Sequence, residues 1–208
     1  MNIIEYEKSY LEDVKNLLVE LEEYIISIDK DNLDQVHPEY RDKMAVIDLE
    51  KINNILNESK ENKELEGMGT TLEVCLIYNN RVYIGHVGDS RIYRIRKEFI
   101  RKLTVDHSYV QQLVKDGTIT KEEAEKHPKK NMLMKALGCT AYVEPDVMVK
   151  GFIKDDILLM SSDGLTNMLK DEEIYNIIKE NPELASEKLV QKANELGGYD
   201  NITVVIIL

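Results

Sequence analysis

The fold of this chain is decided by residues 81–96, RVYIGHVGDSRIYRIR. Two β-forming runs, Arg81–Val87 and Arg91–Arg96, flank Gly88-Asp89-Ser90, a tripeptide of turn-forming residues. Together with similar runs at 70–78 and 98–103, they predict four consecutive strands in a meander. The turn places the carboxylate of Asp89 at the tip of a strand.

Two further acidic residues follow the same pattern. Asp163 comes after the apolar run 157–161, and Asp200 precedes the closing run 202–208. If these two strands are antiparallel, the end of one faces the start of the other, so their carboxylates meet at one sheet edge. Sites rich in carboxylate oxygen favour Mg²⁺ or Mn²⁺ over softer metals. The sequence therefore predicts metal-assisted chemistry, with Asp89, Asp163 and Asp200 as candidate ligands.

A simpler alternative exists for these three residues. Most Asp-Gly and Asp-Asn pairs are ordinary turns or strand caps, and Asp89 also suits a hairpin turn. The histidines likewise have structural explanations. His86 alternates with apolar residues on a strand and is predicted to be packed, whereas His107 lies in a polar segment and is predicted to be solvated.

The remaining elements indicate the class of fold. Helices are predicted at 106–126 with a break at Gly117, at 171–179 and at 184–196, and further strands at 143–152 and 157–161. Strands come first, helices are inserted late, and a strand closes the chain. This order predicts a mixed α+β layered domain rather than alternating βαβ units.

Composition excludes several classes of function. The 208 residues carry a net charge of −12, which disfavours binding to nucleic acids and to acidic membrane surfaces. The sequence contains no apolar run long enough to cross a bilayer, and its first ten residues lack the basic and apolar regions of a secretion signal. We therefore expect a cytoplasmic protein. Of the two cysteines, Cys75 lies in an apolar stretch and is predicted to be a reduced core thiol.

The charge divides the chain into two parts. Residues 1–50 contain 14 acidic and five basic side chains, whereas the remaining residues are close to neutral. Apolar residues at helical spacing from Leu11 to Ile28 predict an amphipathic helix in the first part. We expect an acidic helical segment at 1–50 and a separate domain at 51–208.

Six short motifs follow one another along residues 50–208. They are Gly67-Met68-Gly69-Thr70-Thr71, Gly85-His86-Val87-Gly88-Asp89-Ser90-Arg91, Thr104-Val105-Asp106-His107-Ser108, His127-Pro128 with Asn131 and Leu137-Gly138, Ser161-Ser162-Asp163-Gly164-Leu165-Thr166, and Gly197-Gly198-Tyr199-Asp200-Asn201-Ile202-Thr203. In this order they resemble the bacterial PPM-type (metal-dependent, 2C-class) serine/threonine protein phosphatases. The resemblance implies a layered α-β-β-α sandwich that hydrolyses phosphoserine and phosphothreonine in proteins with Mn²⁺ or Mg²⁺.

The resemblance also implies roles for particular residues. Asp163 and Asp200 match carboxylates that bind the central metal, and Asp89 matches the ligand of an additional, weaker metal. Residues 106–131 correspond to a flap beside the active site that helps to select substrates. A metal pair lowers the pKa of a bridging water, and the hydroxide attacks phosphorus, so no protein nucleophile is needed. The implied partners are a phosphoprotein substrate and a serine/threonine kinase with its targets.

The first 50 residues depart from the family pattern. They contain no glycine and no Asp-Gly pair, so the bridging aspartate and the phosphate-binding arginine of the family have no counterpart. The phosphatase fold is therefore expected to be incomplete at its N-terminus. Residues 1–50 instead weakly resemble the start of a GNAT-type N-acetyltransferase, which suggests that two sequences join near Glu50. The acetyl-CoA loop of that family is absent from the sequence.

These departures leave other functions open. The main alternative to a phosphatase is a non-catalytic relative that binds phosphoproteins or a regulatory partner, and an N-acetyltransferase is a distant third. Missing inner strands would also leave apolar sheet surface uncovered, which the helix beginning at Leu11 is placed to cover. If it does not, we expect homo-oligomers, formed by dimerisation or by strand pairing between chains.

Overall fold

The computed structural model describes residues 69–139 and 143–208. Within these ranges the chain forms seven strands in two antiparallel sheets. The strands are β1 Leu72–Tyr78, β2 Arg81–Val87, β3 Arg91–Arg96, β4 Phe99–Lys102, β5 Asp146–Gly151, β6 Ile157–Ser161 and β7 Val204–Ile207. The smaller sheet has the order β1-β2-β5 and the larger sheet the order β4-β3-β6-β7.

The described helices lie in two groups, one between β4 and β5 and the other between β6 and β7. They are α1 Tyr109–Lys115, α2 Lys121–Glu125, α3 Asp163–Thr166, α4 Asp171–Glu180 and α5 Ala185–Glu195, with a 3₁₀ turn at Pro182–Leu184. The predicted break at Gly117 is confirmed, since this glycine adopts a φ of +71° between α1 and α2. Thr120 then starts α2 through a reciprocal capping box with Glu123.

The predicted meander is wrong, although its strands are placed correctly. β2 pairs with β1 and β5, while β3 pairs with β4 and β6, so β2 and β3 belong to different sheets. The short connection at Gly88-Asp89-Ser90 carries the chain from one sheet to the other, and Gly88 adopts a φ of +115° there. Alternation of apolar residues identifies a strand but not its partners, which explains the error.

The larger sheet is buried on both of its faces. On one face, Ile92 of β3 and Leu158 of β6 pack with Val82 and Ile84 of β2, so the two sheets face each other. On the other face, residues of β3 and β6 pack against α4 and α5 in a second buried cluster, which includes Tyr93, Leu159, Ile174, Ile178 and Leu189. Each fully buried Leu or Ile contributes about 1.5–3 kcal/mol. This arrangement confirms the α+β layered class.

Several smaller expectations can be compared with the structure. Cys75 and Cys139 are both free, and Cys75 packs against the cluster between the sheets. Burial, with the nearby charge of Glu73, raises the pKa of the Cys75 thiol to about 12, which keeps it protonated. Across residues 69–139 and 143–208, the helices are too short and too polar to span a bilayer.

Other expectations concern residues that the structure does not describe. The acidic helical segment at 1–50, the helix beginning at Leu11 and the resemblance to acetyltransferases all lie outside the described residues. The division of the chain near Glu50 and the formation of homo-oligomers accordingly stay predictions.

Candidate metal centre

The pairing of three strands brings the candidate carboxylates to one edge of the larger sheet. Arg91, the first residue of β3, pairs with Ser161, the last residue of β6, and Ser161 also pairs with Val204, the first residue of β7. Asp89 lies just before β3, Asp163 just after β6, and Asp200 shortly before β7. The predicted antiparallel pairing of β6 and β7 is confirmed.

Ser162, the residue before Asp163, forms hydrogen bonds with the residues that follow Asp200. Its hydroxyl donates to the carbonyl of Asn201 at 3.1 Å and accepts from the N–H of Thr203 at 3.0 Å. Its own N–H donates to the carbonyl of Thr203 at 3.1 Å. These bonds continue the β6–β7 ladder beyond the strand ends, so the two aspartates are held on opposite sides of the same junction.

Gly164 permits this close approach. A Cβ atom at this position would lie 2.3 Å from the carbonyl oxygen and 2.9 Å from the carbonyl carbon of Asn201. Both contacts are with backbone, which cannot rotate away as a side chain can. The glycine after Asp163 is therefore needed for packing α3 against the residue that follows Asp200.

Gly164→Ala is expected to lower the free energy of unfolding by about 1–3 kcal/mol, the usual cost of overpacking. The measurement is urea unfolding followed by circular dichroism. Gly151→Ala is the matched control, because a Cβ there meets no atom within 4 Å. A loss of stability equal in the two variants would contradict the role of Gly164 as a packing contact.

Asp163 and Asp89 each lie near other carboxylates that oppose their ionisation. Burial, followed by the charge of Asp200, raises the pKa of Asp163. Burial, followed by the charges of Asp163 and Asp106, raises the pKa of Asp89 to about 6. Asp163 is thus electrostatically coupled to both of the other candidates, and a divalent cation among them would relieve the repulsion.

The donor set suits a hard cation held by few protein ligands. Within the described ranges, no group of three or more His, Cys, Asp or Glu side chains is arranged to hold a metal. Mg²⁺ is often bound by only one or two carboxylates, with water completing its octahedral shell. The coupled pair Asp163 and Asp200 fits such a cation. The structure thus brings together the residues predicted from sequence as an electrostatic group, with Asp163 at its centre.

An ion-pair network beside the site was not identified from the sequence. Arg91 donates to both carboxylate oxygens of Asp106, with its shortest contact, Nη2 to Oδ2, at 2.7 Å. Lys102 donates to Oδ1 of Asp106 at 2.9 Å. Burial by itself would raise the pKa of Asp106, but the charges and hydrogen bonds of Arg91 and Lys102 hold it below its usual range. Arg91 also counteracts the raised pKa values of Asp89 and Asp163.

His86 is packed, as predicted, with only 1% of its surface exposed. Its Nδ1 lies 2.7 Å from Oε1 of Glu73 and its Nε2 2.9 Å from the carbonyl of Val105. Because a carbonyl only accepts, Nε2 carries a proton. Burial opposes the charged imidazolium, but the hydrogen bonds to Glu73 and Val105 raise the pKa of His86 overall.

The prediction that His107 is solvated is wrong. Its side chain is 9% exposed, and its ring stacks on that of His86 with the centroids 4.6 Å apart. Nδ1 accepts from the N–H of Gly88 at 3.0 Å, and Nε2 lies 3.2 Å from Oδ1 of Asp146 without the geometry of a hydrogen bond. Burial lowers the pKa of His107. The polar neighbours of this histidine in sequence gave no sign of a ring stack between distant segments.

Backbone hydrogen bonds near this histidine join the start of the flap segment, residues 106–131, to the residues that follow it. An isolated bridge joins Ser108 to Leu133, the N–H of Tyr109 donates to the carbonyl of Met132 at 2.8 Å, and the N–H of Met134 donates to the carbonyl of His107 at 2.8 Å. The start of the segment and the residues that follow it therefore both lie beside the turn that carries Asp89.

The family model and three individual proteins that match this chain all describe protein phosphatases. The family model for protein phosphatase 2C matches residues 20–113. The serine/threonine phosphatase stp of Listeria monocytogenes serotype 4b is 42% identical over 162 residues, which are 76% of this chain and 64% of that protein. The solved serine/threonine phosphatase of S. agalactiae superimposes with a TM-score of 0.75 at 36% identity, covering 92% of this chain and 80% of that one.

A further solved structure contains metal. The catalytic domain of the serine/threonine protein phosphatase PstP, in complex with two manganese ions, matches with a TM-score of 0.66 at 32% identity, covering 90% of this chain and 80% of that one. The chain spans slightly less than two thirds of the length of the Listeria relative, 64%.

Proposed function

Because the chain belongs to the protein phosphatase 2C family, we propose that it hydrolyses phosphoserine and phosphothreonine in proteins, with Mn²⁺ or Mg²⁺ as cofactor. One observation carries the proposal. Asp163 is coupled through its charge to both Asp89 and Asp200, at the edge where three strands begin or end. A protein that keeps mutually repelling carboxylates together at a surface has a ready site for a divalent cation.

The three aspartates have different proposed roles in binding metal. Asp163 and Asp200 are the proposed ligands of a central cation, and Asp89 is the proposed ligand of an additional one. Asn167 orients Asp163, since its Nδ2 donates to Oδ2 of that carboxylate at 3.1 Å. A bound cation supplies charge neutralisation for the phosphoryl group and lowers the pKa of a water molecule.

The proposed substrate is a phosphoprotein that lies against the flap segment and the residues that follow it. Lys126, Lys129 and Lys130 are exposed there, and Met132 and Met134 expose about half of their surface, 50% and 57%. Exposed ammonium groups and thioethers suit a negatively charged, irregular peptide. A serine/threonine kinase that modifies the same proteins is the partner class that this activity implies.

Two observations favour a second candidate, a non-catalytic module that binds phosphoproteins or a regulatory partner. The described residues supply no three-donor group for a metal, and residues 1–50 contain no Asp-Gly pair to provide the bridging aspartate of the family. In such a module the carboxylates would hold a cation weakly, without turnover.

The test is hydrolysis of a phosphothreonine peptide by the purified chain, followed as phosphate release. We expect hydrolysis with Mn²⁺, its loss in EDTA, and its recovery when Mn²⁺ is returned in excess, because carboxylates alone do not activate water enough. Absence of Mn²⁺-dependent phosphate release would contradict the phosphatase. Calorimetric binding of the same peptide without release would then support the non-catalytic module.

A further inference from the structure

We propose that His107 is a positioning residue that anchors both the Asp89 turn and the flap segment. The inference rests on the proposed function, because it assigns a purpose to the position of Asp89. It depends on contacts that His107 makes with two separate parts of the chain, the turn after β2 and the residues that follow the flap segment.

The contacts with the Asp89 turn are reciprocal. The N–H of Gly88 donates to Nδ1 of His107 at 3.0 Å, and the N–H of His107 donates to the carbonyl of Gly88 at 2.7 Å. Both polar backbone groups of the residue before Asp89 are therefore satisfied by a single partner. Gly88 is buried, so its N–H would have no access to water if Nδ1 were removed.

The backbone at Gly88 has little freedom to find another arrangement. A Cβ at this glycine would lie 2.3 Å from Cγ2 of Thr71, and a hydrogen bond of 2.9 Å joins the hydroxyls of Thr71 and Ser90. Asp89 thus lies between Gly88, which is hydrogen-bonded to His107, and Ser90, which is hydrogen-bonded to Thr71. The direction of its carboxylate depends on the His107 contact on one side and on the Thr71 contact on the other.

The other contacts of His107 reach the residues that follow the flap segment. Its carbonyl accepts from the N–H of Met134 at 2.8 Å, and its Nε2 faces Asp146, which accepts from Lys135 at 3.2 Å. The start of the flap segment and the residues that follow it therefore meet at His107. A displacement of His107 would move the Asp89 turn and the flap segment together.

The ring itself is held in one orientation. His86, fixed by Glu73 and by the carbonyl of Val105, stacks on it at an interplanar angle of 29°. Because Nδ1 accepts a hydrogen bond, the ring proton lies on Nε2, beside Asp146. The orientation of the ring sets which atom faces Gly88, and this makes the chemical identity of the side chain at position 107 testable.

Three substitutions separate the acceptor at Nδ1 from the bulk of the ring. His107→Phe keeps an aromatic ring against His86 but cannot accept from Gly88. His107→Asn places an amide oxygen close to the position of Nδ1, whereas His107→Gln places one closer to that of Nε2. His127→Phe is the control, because Nδ1 of His127 accepts from the N–H of Lys129 at 3.1 Å, within the flap segment and away from Gly88.

The first measurement is hydrogen exchange of the metal-free proteins, resolved for the Gly88-Asp89 turn and for residues 132–135. We expect faster exchange in both places for His107→Phe and His107→Gln, and rates close to wild type for His107→Asn and His127→Phe. If the phenylalanine variant does not fold, the comparison of Asn with Gln still decides. Equal exchange in the Asn and Gln variants, or a change confined to the melting temperature, would overturn the inference.

The second measurement is the affinity for Mn²⁺, determined by calorimetry. Loss of an outer-shell partner costs metal affinity about 10- to 100-fold. We expect a loss of this size for the additional cation at Asp89 in His107→Gln, and a recovery in His107→Asn. If exchange at Gly88 is faster in His107→Phe and His107→Gln only, but no variant binds Mn²⁺, the inference is supported and only the proposed function is overturned. Unchanged exchange with intact Mn²⁺ binding would overturn only the inference.

Discussion

Asp163→Asn is expected to lower the Mn²⁺-dependent rate of phosphothreonine peptide hydrolysis by more than about 100-fold, since the loss of outer-shell partners alone costs about 10- to 100-fold in metal sites. Asp163 is coupled to both other candidate carboxylates, and its substitution leaves Asp200 as the single proposed carboxylate ligand of the central cation. The amide of asparagine is neutral and binds a hard cation more weakly than a carboxylate does. The measurement is phosphate release at saturating Mn²⁺.

The same substitution should not destabilise the metal-free protein. Burial, followed by the charge of Asp200, raises the pKa of Asp163, so the ionised group opposes folding at neutral pH. A neutral amide removes that repulsion, and the free energy of unfolding without metal should stay equal or rise. Loss of activity together with higher stability would show that the Asp163 carboxylate serves metal binding and does not stabilise the fold.

Asp155→Asn is the control for this experiment. Asp155 is exposed in the turn before β6, whereas Asp163 follows the end of that strand. It adopts a φ of +70°, which asparagine tolerates well. We expect wild-type activity in this variant. An unchanged rate in Asp163→Asn, or an equal loss in both variants, would contradict the proposed metal centre.

Arg91→Met is expected to lower the free energy of unfolding by about 3 kcal/mol at neutral pH, because it leaves a buried carboxylate without its principal partner. Arg91 makes three hydrogen-bond contacts to Asp106, whose side chain is only 9% exposed. Lys102 remains as a single-point partner at 2.9 Å, so the loss is expected at the low end for buried pairs. Urea unfolding measures the change.

The effect of Arg91→Met should depend on pH in a defined direction. Burial opposes ionisation of Asp106, but Arg91 and Lys102 together hold its pKa below the usual range. An unfolded aspartate has a pKa of about 3.9, so the stabilisation is complete above that value and is lost as the pH falls through the lower folded pKa. The difference between wild type and variant should therefore be largest at neutral pH and shrink in acid.

A double-mutant cycle with Asp106→Asn isolates this pair. In the Asp106→Asn background the substitution Arg91→Met should cost much less, because no buried charge is left uncompensated. A difference between wild type and Arg91→Met that stays constant from neutral to acid pH would contradict the assignment of the stabilisation to the ion pair.

The sequence allowed several local features to be predicted. The bounds of β2, β3 and β6 agree with the β-forming runs Arg81–Val87, Arg91–Arg96 and Ile157–Ser161, because β-branched and aromatic residues fit a pleated, partly buried surface. The meeting of Asp163 and Asp200 followed from one assumption, antiparallel pairing of the last two strands, which the register confirms.

Features that depend on distant contacts were not predicted. The sequence around Gly88 indicates a turn, but a hairpin turn and a crossing between sheets use the same residue types. His107 lies in a loop among polar residues, and its ring stacks on that of His86, which lies on β2. The partner of Asp106 lies on β3, and only the assembled sheet brings Arg91 to it.

The division of consecutive strands between two sheets has a consequence for the time course of folding. Among the described strands, β1 with β2 and β3 with β4 pair through a short connection, whereas helices α3 to α5 lie between the paired strands β6 and β7. A long loop is closed by each of three pairings: β2 with β5, β3 with β6, and β6 with β7. The conformational entropy lost in closing such a loop opposes folding before the contacts between the strands can form. Such a high contact order gives slow folding. The two hairpins are expected to form early, and the edge that carries Asp89, Asp163 and Asp200 to form among the last parts of the domain.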